Sequence, residues 1–228
     1  MRRRLLAALA LAAPAAALAQ PAAPRVGDLK PLGQERYQVG RIVVDKRGRS
    51  FSVPGRVLVQ GKPLEYLATT PGGMKAYETL FELDTTGGEF NLACILIGLE
   101  PDPRSVSNES RTFKPVPGPR VRILVSWADD AGKRRQVPAA ELLLNPEAEV
   151  KPESVEWVYT GSPASLGGGR FTPDDTGTLI GFVHDPNTLI ESVMPIGLGA
   201  YGSVRGHASL PATGTAVQLI VEAAGGAK

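Results

Sequence analysis

The stretch "RVRILVSWADDAGKRRQVPAAELL", residues 120–143, limits the fold more than any other part of the chain. Apolar and polar residues alternate on both sides of Asp129-Asp130-Ala131-Gly132, which is the pattern of two half-buried strands around a tight turn. The pattern recurs. "RIVVD" and "SFSVPG" flank the turn "KRGR", "RVLVQ" follows a bend or bulge at Pro54-Gly55, and "VEWVYTGS", "TLIGFVHD" and "GTAVQLIVEA" read as further strands. The chain holds 26 glycines and 20 prolines, which break long helices and supply turns.

One segment changes period. In "TTGGEFNLACILIGLEPDP", Thr85 or Thr86 can cap a helix, an acidic residue follows in the first turn, and Pro101 stops it. Phe90, Ala93, Cys94 and Ile97 form one stripe that Leu92, Leu96 and Leu99 widen, so a helix over 87–99 is expected to be largely buried; a buried strand is the alternative. Short helices are expected at "AAELLLN" and "PNTLIES".

The expected fold class is α+β: one strand-rich domain over 37–224, mainly antiparallel sheet, with that helix packed on one face and one or two short helices.

The first residues address the compartment. "MRRR", an apolar run broken by Pro14, and Ala17-Leu18-Ala19 read as a secretory signal peptide over 1–19, with no transmembrane anchor left after cleavage. Residues 20–36 are rich in proline and alanine and read as a flexible leader. The formal net charge of +2 includes the signal's three arginines; without them 22 basic residues face 23 acidic ones. A near-neutral exported chain has no electrostatic case for nucleic acid. Its single cysteine, Cys94, sits in the apolar helix and reads as a small core residue.

The order of blocks resembles one family. "GRIVVDKRGRSFSVPGRVLVQGKPLEYLATTPGGMKAYETLF", "LACILIGL", "VRILVSW…VPAAELL", "WVYTGS", "HDPNTLI" and "GTAVQLIV" are together similar to the YdjY-type domain family of exported bacterial proteins, over about residues 39–222. The resemblance implies a shared fold and an exported compartment. Where relatives read a histidine before Glu-Ser-Leu, this chain has Tyr77, so no role resting on that histidine carries over. Some relatives carry an iron–sulfur label, but such a cluster needs about four thiolates, and only Cys94 is present.

The candidates for chemistry lie in "PLEYLATTPGGMKAYETLFELD", residues 63–84. Pro71-Gly72-Gly73 punctuates two runs that read as a hairpin. A two- or four-residue loop groups Leu64, Tyr66 and Ala68 with Tyr77, Phe81 and Leu83 on a buried face, and sets Glu65 and Glu78 together on the other with Leu67, Leu80 and Glu82. Two facing carboxylates serve as acid and base, as ligands for a hard cation, or as partners of Arg41, Arg56 or Lys75. His184 and Asp185, at a strand end before Pro186, complete the candidate catalytic or metal set Glu65, Glu78, His184 and Asp185; His207 is expected to be exposed.

No cofactor is called for. Gly197–Gly202 satisfies G-x-G-x-x-G without the strand and helix that a dinucleotide site needs, and the sequon at Asn108 carries no weight in a bacterial protein. The function expected is a non-enzymatic binding module for an envelope protein or small ligand, with an envelope hydrolase or metal-dependent enzyme as the alternative.

Overall fold

The computed structural model describes residues 24–58, 61–107, 114–144, 155–166, 170–194, 196 and 204–225. The segment read as a signal peptide, the G-x-G-x-x-G match and the sequon lie outside the described residues. Strands β1 (Leu29–Gly33), β2 (Arg36–Val39), β3 (Ile42–Asp45) and β4 (Ser50–Val57) form an antiparallel meander. The turn "KRGR" joins β3 to β4 as the alternation implies. β1 falls within the segment whose composition reads as a leader. Its tie to β2 runs through left-handed residues Gly33, Gln34 and Glu35, and composition carries no trace of that pairing partner.

Beyond β4 come β5 (Tyr66–Thr69), β6 (Thr79–Leu83) and helix α1 (Gly87–Leu96). β7 (Arg120–Ala128) and β8 (Arg134–Pro138) are the hairpin expected around Asp129–Gly132. β9 (Leu143–Leu144) stands where a short helix was expected, after one 3-10 turn at Ala139–Leu142. β10 (Trp157–Tyr159), the short helices α2 (Pro163–Leu166) and α3 (Thr172–Thr176), β11 (Thr178–Gly181), β12 (Ile190–Ser192), β13 (Arg205–Gly206) and β14 (Ala216–Ala223) complete the chain. "PNTLIES", expected to be helical, ends in strand β12. Its Ile190 pairs with both Tyr159 and Ile180, and tertiary pairing overrides local propensity.

The expected α+β fold, with a helix lying on one face of a mainly antiparallel sheet, is overturned by closure. The order β4-β14-β7-β10-β12-β11-β5-β6 returns to β4, making an eight-stranded barrel. Two of its neighbours, β11–β12 and β5–β6, are parallel. Closure happens on β4, which pairs with β3 through Ser50–Ser52 and with β6 through Gly55–Val57 on the same side. Pro54-Gly55 marks that change of neighbour. A Cβ at Gly55 would run into the Glu82 carbonyl oxygen on β6, so glycine permits the close approach.

Opposed pairs place Phe51, Val221 and Ile123 on one face, and Val121 and Trp157 continue it to Tyr159. All are buried and face inward. An eight-stranded barrel is just wide enough for side chains to fill it.

α1 closes one mouth of this barrel. Phe90 meets inward-facing Phe51 edge-on, with ring centroids 5.1 Å apart at 89°, and Asn91 Oδ1 accepts from the Tyr159 hydroxyl at 2.6 Å. β10 stands three places from β4 one way round the ring, and β11, which α1 also packs against, three places the other way, so the helix spans the opening. The stripe read from the sequence is buried as expected: Phe90, Ala93 and Cys94 at 0% and Ile97 at 1% exposure. Burial pushes the Cys94 thiol well above its ordinary pKa, which keeps it an inert core residue. The Thr86 hydroxyl accepts from Glu89 N at 3.2 Å while the Glu89 carboxylate accepts from Thr86 N at 3.1 Å, a capping box. Left-handed Gly98 ends the helix before Pro101 is reached.

Gly55→Ala is therefore expected to lower stability by about 1–3 kcal/mol through overpacking at the closure, and Thr86→Ala by about 1 kcal/mol through loss of the cap. Both are read as shifts of the urea midpoint.

Candidate functional site

A parallel pair of neighbouring strands requires the chain to travel back along the sheet between them. The barrel has two such returns, side by side: residues 70–78 between β5 and β6, and residues 182–189 between β11 and β12. The expected hairpin over 64–84 is overturned by the first of these. Pro71-Gly72-Gly73 opens a crossover, in which Thr70 N and Met74 N donate to the carbonyls of Gly177 and Thr176 and a 3-10 turn spans Ala76–Glu78. Proline and glycine punctuate hairpins and crossovers alike, so the motif could not tell the two apart. Tyr77, expected on the buried face, is 61% exposed on that turn.

The second crossover covers a buried ionisable pair. Glu191 on β12 stands beside Gly181 on β11 and is wholly buried. His184 Nδ1 lies 3.1 Å from Glu191 Oε2, and His184 Nε2 lies 3.2 Å from the Lys114 carbonyl oxygen. The other carboxylate oxygen, Glu191 Oε1, accepts from Asp185 N at 3.2 Å and from the Thr188 hydroxyl at 2.9 Å. A carbonyl oxygen only accepts, so Nε2 carries a hydrogen. One further proton then lies between Nδ1 and the carboxylate, giving either imidazolium with carboxylate or neutral imidazole with carboxylic acid. Burial raises the pKa of Glu191, opposed by its bonds to His184, Thr188 and Asp185.

Tyr66 ties the two crossovers together. Its hydroxyl donates to Asp185 Oδ2 at 2.8 Å, and Asp185 Oδ1 accepts from Asn187 N at 2.9 Å and Asn187 Nδ2 at 2.7 Å. Burial, with the nearby Asp185, Glu65 and Glu78 charges, pushes the Tyr66 hydroxyl far above its usual range, so it remains a donor. Across the first crossover, Lys75 Nζ bonds Glu78 Oε1 at 2.6 Å and the Tyr77 hydroxyl at 3.3 Å, and stands 6.0 Å from the Tyr66 ring centroid and 5.6 Å from that of Tyr77. The bond to Glu78 holds the lysine charged above its ordinary pKa.

The four candidates therefore meet at one place in two layers. Glu65 is half-buried at the head of β5, with its amide donating to the Glu78 carbonyl at 3.0 Å and its carbonyl accepting from Phe182 N at 3.1 Å. The two glutamates are neighbours through the parallel pairing of β5 with β6, and not through the hairpin register expected. Of the partners considered for them, Lys75 holds Glu78, whereas Arg56 pairs instead with Glu82 at 2.5 Å and Arg41 with Asp84 at 3.4 Å. His184 turns to Glu191, and Asp185 to Tyr66. Among the described residues no group of three or more His, Cys, Asp or Glu side chains could hold a metal ion. His207 is exposed, its Nδ1 accepting from Ser209 N at 3.1 Å.

Sequence reasoning missed Glu191. Its only signal is a lone carboxylate in the apolar run "TLIESVMPI", seven residues after His184.

The class defined here is a closed, mixed eight-stranded barrel with one helical lid and two linked crossovers. The chain belongs to the YdjY domain family, whose model matches residues 42–222. No curated protein and no solved structure matches it.

Two outcomes are expected from changes to Glu191. Glu191→Ala should cost about 3–5 kcal/mol, because it leaves a buried histidine without its partner. Glu191→Gln should be far milder, since an amide can donate to His184 Nδ1 and still accept from Thr188 and Asp185. An acid whose pKa is raised in the folded state binds its proton more tightly there. Stability conferred by Glu191 is then greatest at low pH and falls as pH rises through the window above about 4.3. Chemical denaturation from pH 4 to 8 should show that descending component in the wild type and its loss in Glu191→Gln. Glu78→Gln, at a partly exposed pair, should cost under about 1 kcal/mol.

Proposed function

We propose that this is an exported protein of the cell envelope that acts by binding a partner protein, without catalysing a reaction. The observation that carries the reading is the surface of the first crossover. Met74 and Tyr77 are 69% and 61% exposed on a segment fixed at both ends by backbone bonds, next to a lysine held between two tyrosine rings. Aromatic and methionine side chains are enriched in protein interfaces, and a pre-ordered segment loses little entropy when it docks. Glu78, Asp185 and His184 are meanwhile engaged with Lys75, Tyr66 and Glu191 respectively. Export rests on the N-terminal sequence, with its arginines, apolar run and small-residue cleavage site. The alternative, a hydrolase or metal-dependent enzyme using Glu65 and Glu78, has no comparable observation in its favour.

The test places a photo-crosslinking residue at 74, at 77, or at Lys30 on exposed β1, in cells producing the full chain. A shortened chain in the envelope fraction, joined to the same protein from 74 and 77 but not from 30, is expected. A full-length chain retained in the cytoplasm, or equal labelling from all three positions, refutes the reading. Tyr77→Ala should weaken that adduct while changing stability by no more than about 0.5 kcal/mol.

A further inference from the structure

The two tryptophans of the chain line neighbouring cavities on the other side of the barrel. One, of about 380 Å³, is bounded by Arg120, Arg122, Glu156 and Trp157. The other, of about 370 Å³, is bounded by Trp127, Asp129, Arg135 and Ser209. Glu141, exposed on the 3-10 turn after β8, borders both, so the two cavities share one side chain as a common wall. We propose that these two cavities together form a groove that binds a neutral, linear oligosaccharide, one sugar segment on each side of Glu141.

Three features argue for that chemistry. The described charged lining consists of three arginines and three carboxylates, so it offers no net attraction to a polyanion or a polycation. These groups are planar and two-pronged, a shape that pairs with adjacent hydroxyls. The third feature is Trp127, whose half-buried indole offers a flat apolar surface for a sugar ring's C–H face, beside polar groups that set orientation. The lining is also braced before any ligand arrives. Arg135 Nε donates to Asp129 Oδ2 at 2.9 Å, Asp129 Oδ1 accepts from Lys133 N at 2.9 Å, and Arg122 is bound to Glu222 on β14. Pre-ordered side chains lose little entropy on binding.

This groove is separate from the Met74–Tyr77 surface, so either proposal can fail without the other. Because both tryptophans line it, intrinsic tryptophan fluorescence of the full chain reports on it directly. Titration with tetramers of N-acetylglucosamine and of maltose-type glucose is expected to give a saturable change for at least one, largely insensitive to salt. Trp127→Ala should weaken binding about tenfold, the loss of one stacked ring. Glu141→Ala, at an exposed position, should weaken it while leaving the unfolding midpoint unchanged, which separates a binding defect from a folding one. The proposal is overturned if neither tetramer gives a saturable change, if affinity is unaffected by Glu141→Ala and Trp127→Ala, or if a charged peptide saturates the signal and the sugars do not.

Discussion

β4 has two neighbours on one side, and the architecture depends on how it passes from one to the other. Its first residues pair with β3 and its last with β6, while β14 runs along the whole of its other edge. Without that change of neighbour the strands would make an open sheet with bare edges, which invite pairing with other chains. Gly55 makes the exchange possible because any side chain would meet the β6 backbone. Once the ring is closed its inner face is committed. Phe51, Val53, Val57, Leu219 and Val221 fill it, and α1 seals the end at which inward-facing Phe51 and Tyr159 meet Phe90 and Asn91 of the helix.

Closure by this route needs two parallel pairs, and each forces a crossover over the outer wall. The chemistry-bearing residues collect beneath and within those crossovers. Glu191 and His184 are shielded from water, so each requires the other: a buried charge with no partner is far costlier than a paired one. Tyr66, on β5, bonds Asp185 of the second crossover and faces Lys75 of the first. Met74 and Tyr77 are then presented outward on a segment that is itself held in place. Backbone bonds from Thr70 and Met74, and the bonds of Lys75 to Glu78 and Tyr77, hold that segment.

Much of this could be read from the chain. The β7–β8 hairpin, the β3–β4 hairpin and the capped, buried helix all depend on residues close in sequence, and all three formed as their periodicity implied. The failures share a cause. The 64–84 segment has hairpin punctuation but forms a crossover, because the bonds from Thr70 and Met74 reach the carbonyls of Gly177 and Thr176, about a hundred residues away. "PNTLIES" looks locally helical but becomes a strand between β10 and β11. Glu191 passed unnoticed because its partner, His184, acquires meaning only when the crossover folds over it.

What the sequence determined by itself is therefore local: the strands and their alternation, the cap and stripe of α1, and the tight turns. Tertiary structure alone decided that the sheet closes, that β5 and β6 run in parallel and so bring Glu65 beside Glu78, and that Tyr66 of β5 meets Asp185 of the second crossover. The physical reason is range. Alternation and capping are set by interactions a few residues long, whereas strand order is chosen by pairing energies between segments whose separation along the chain leaves no periodic trace.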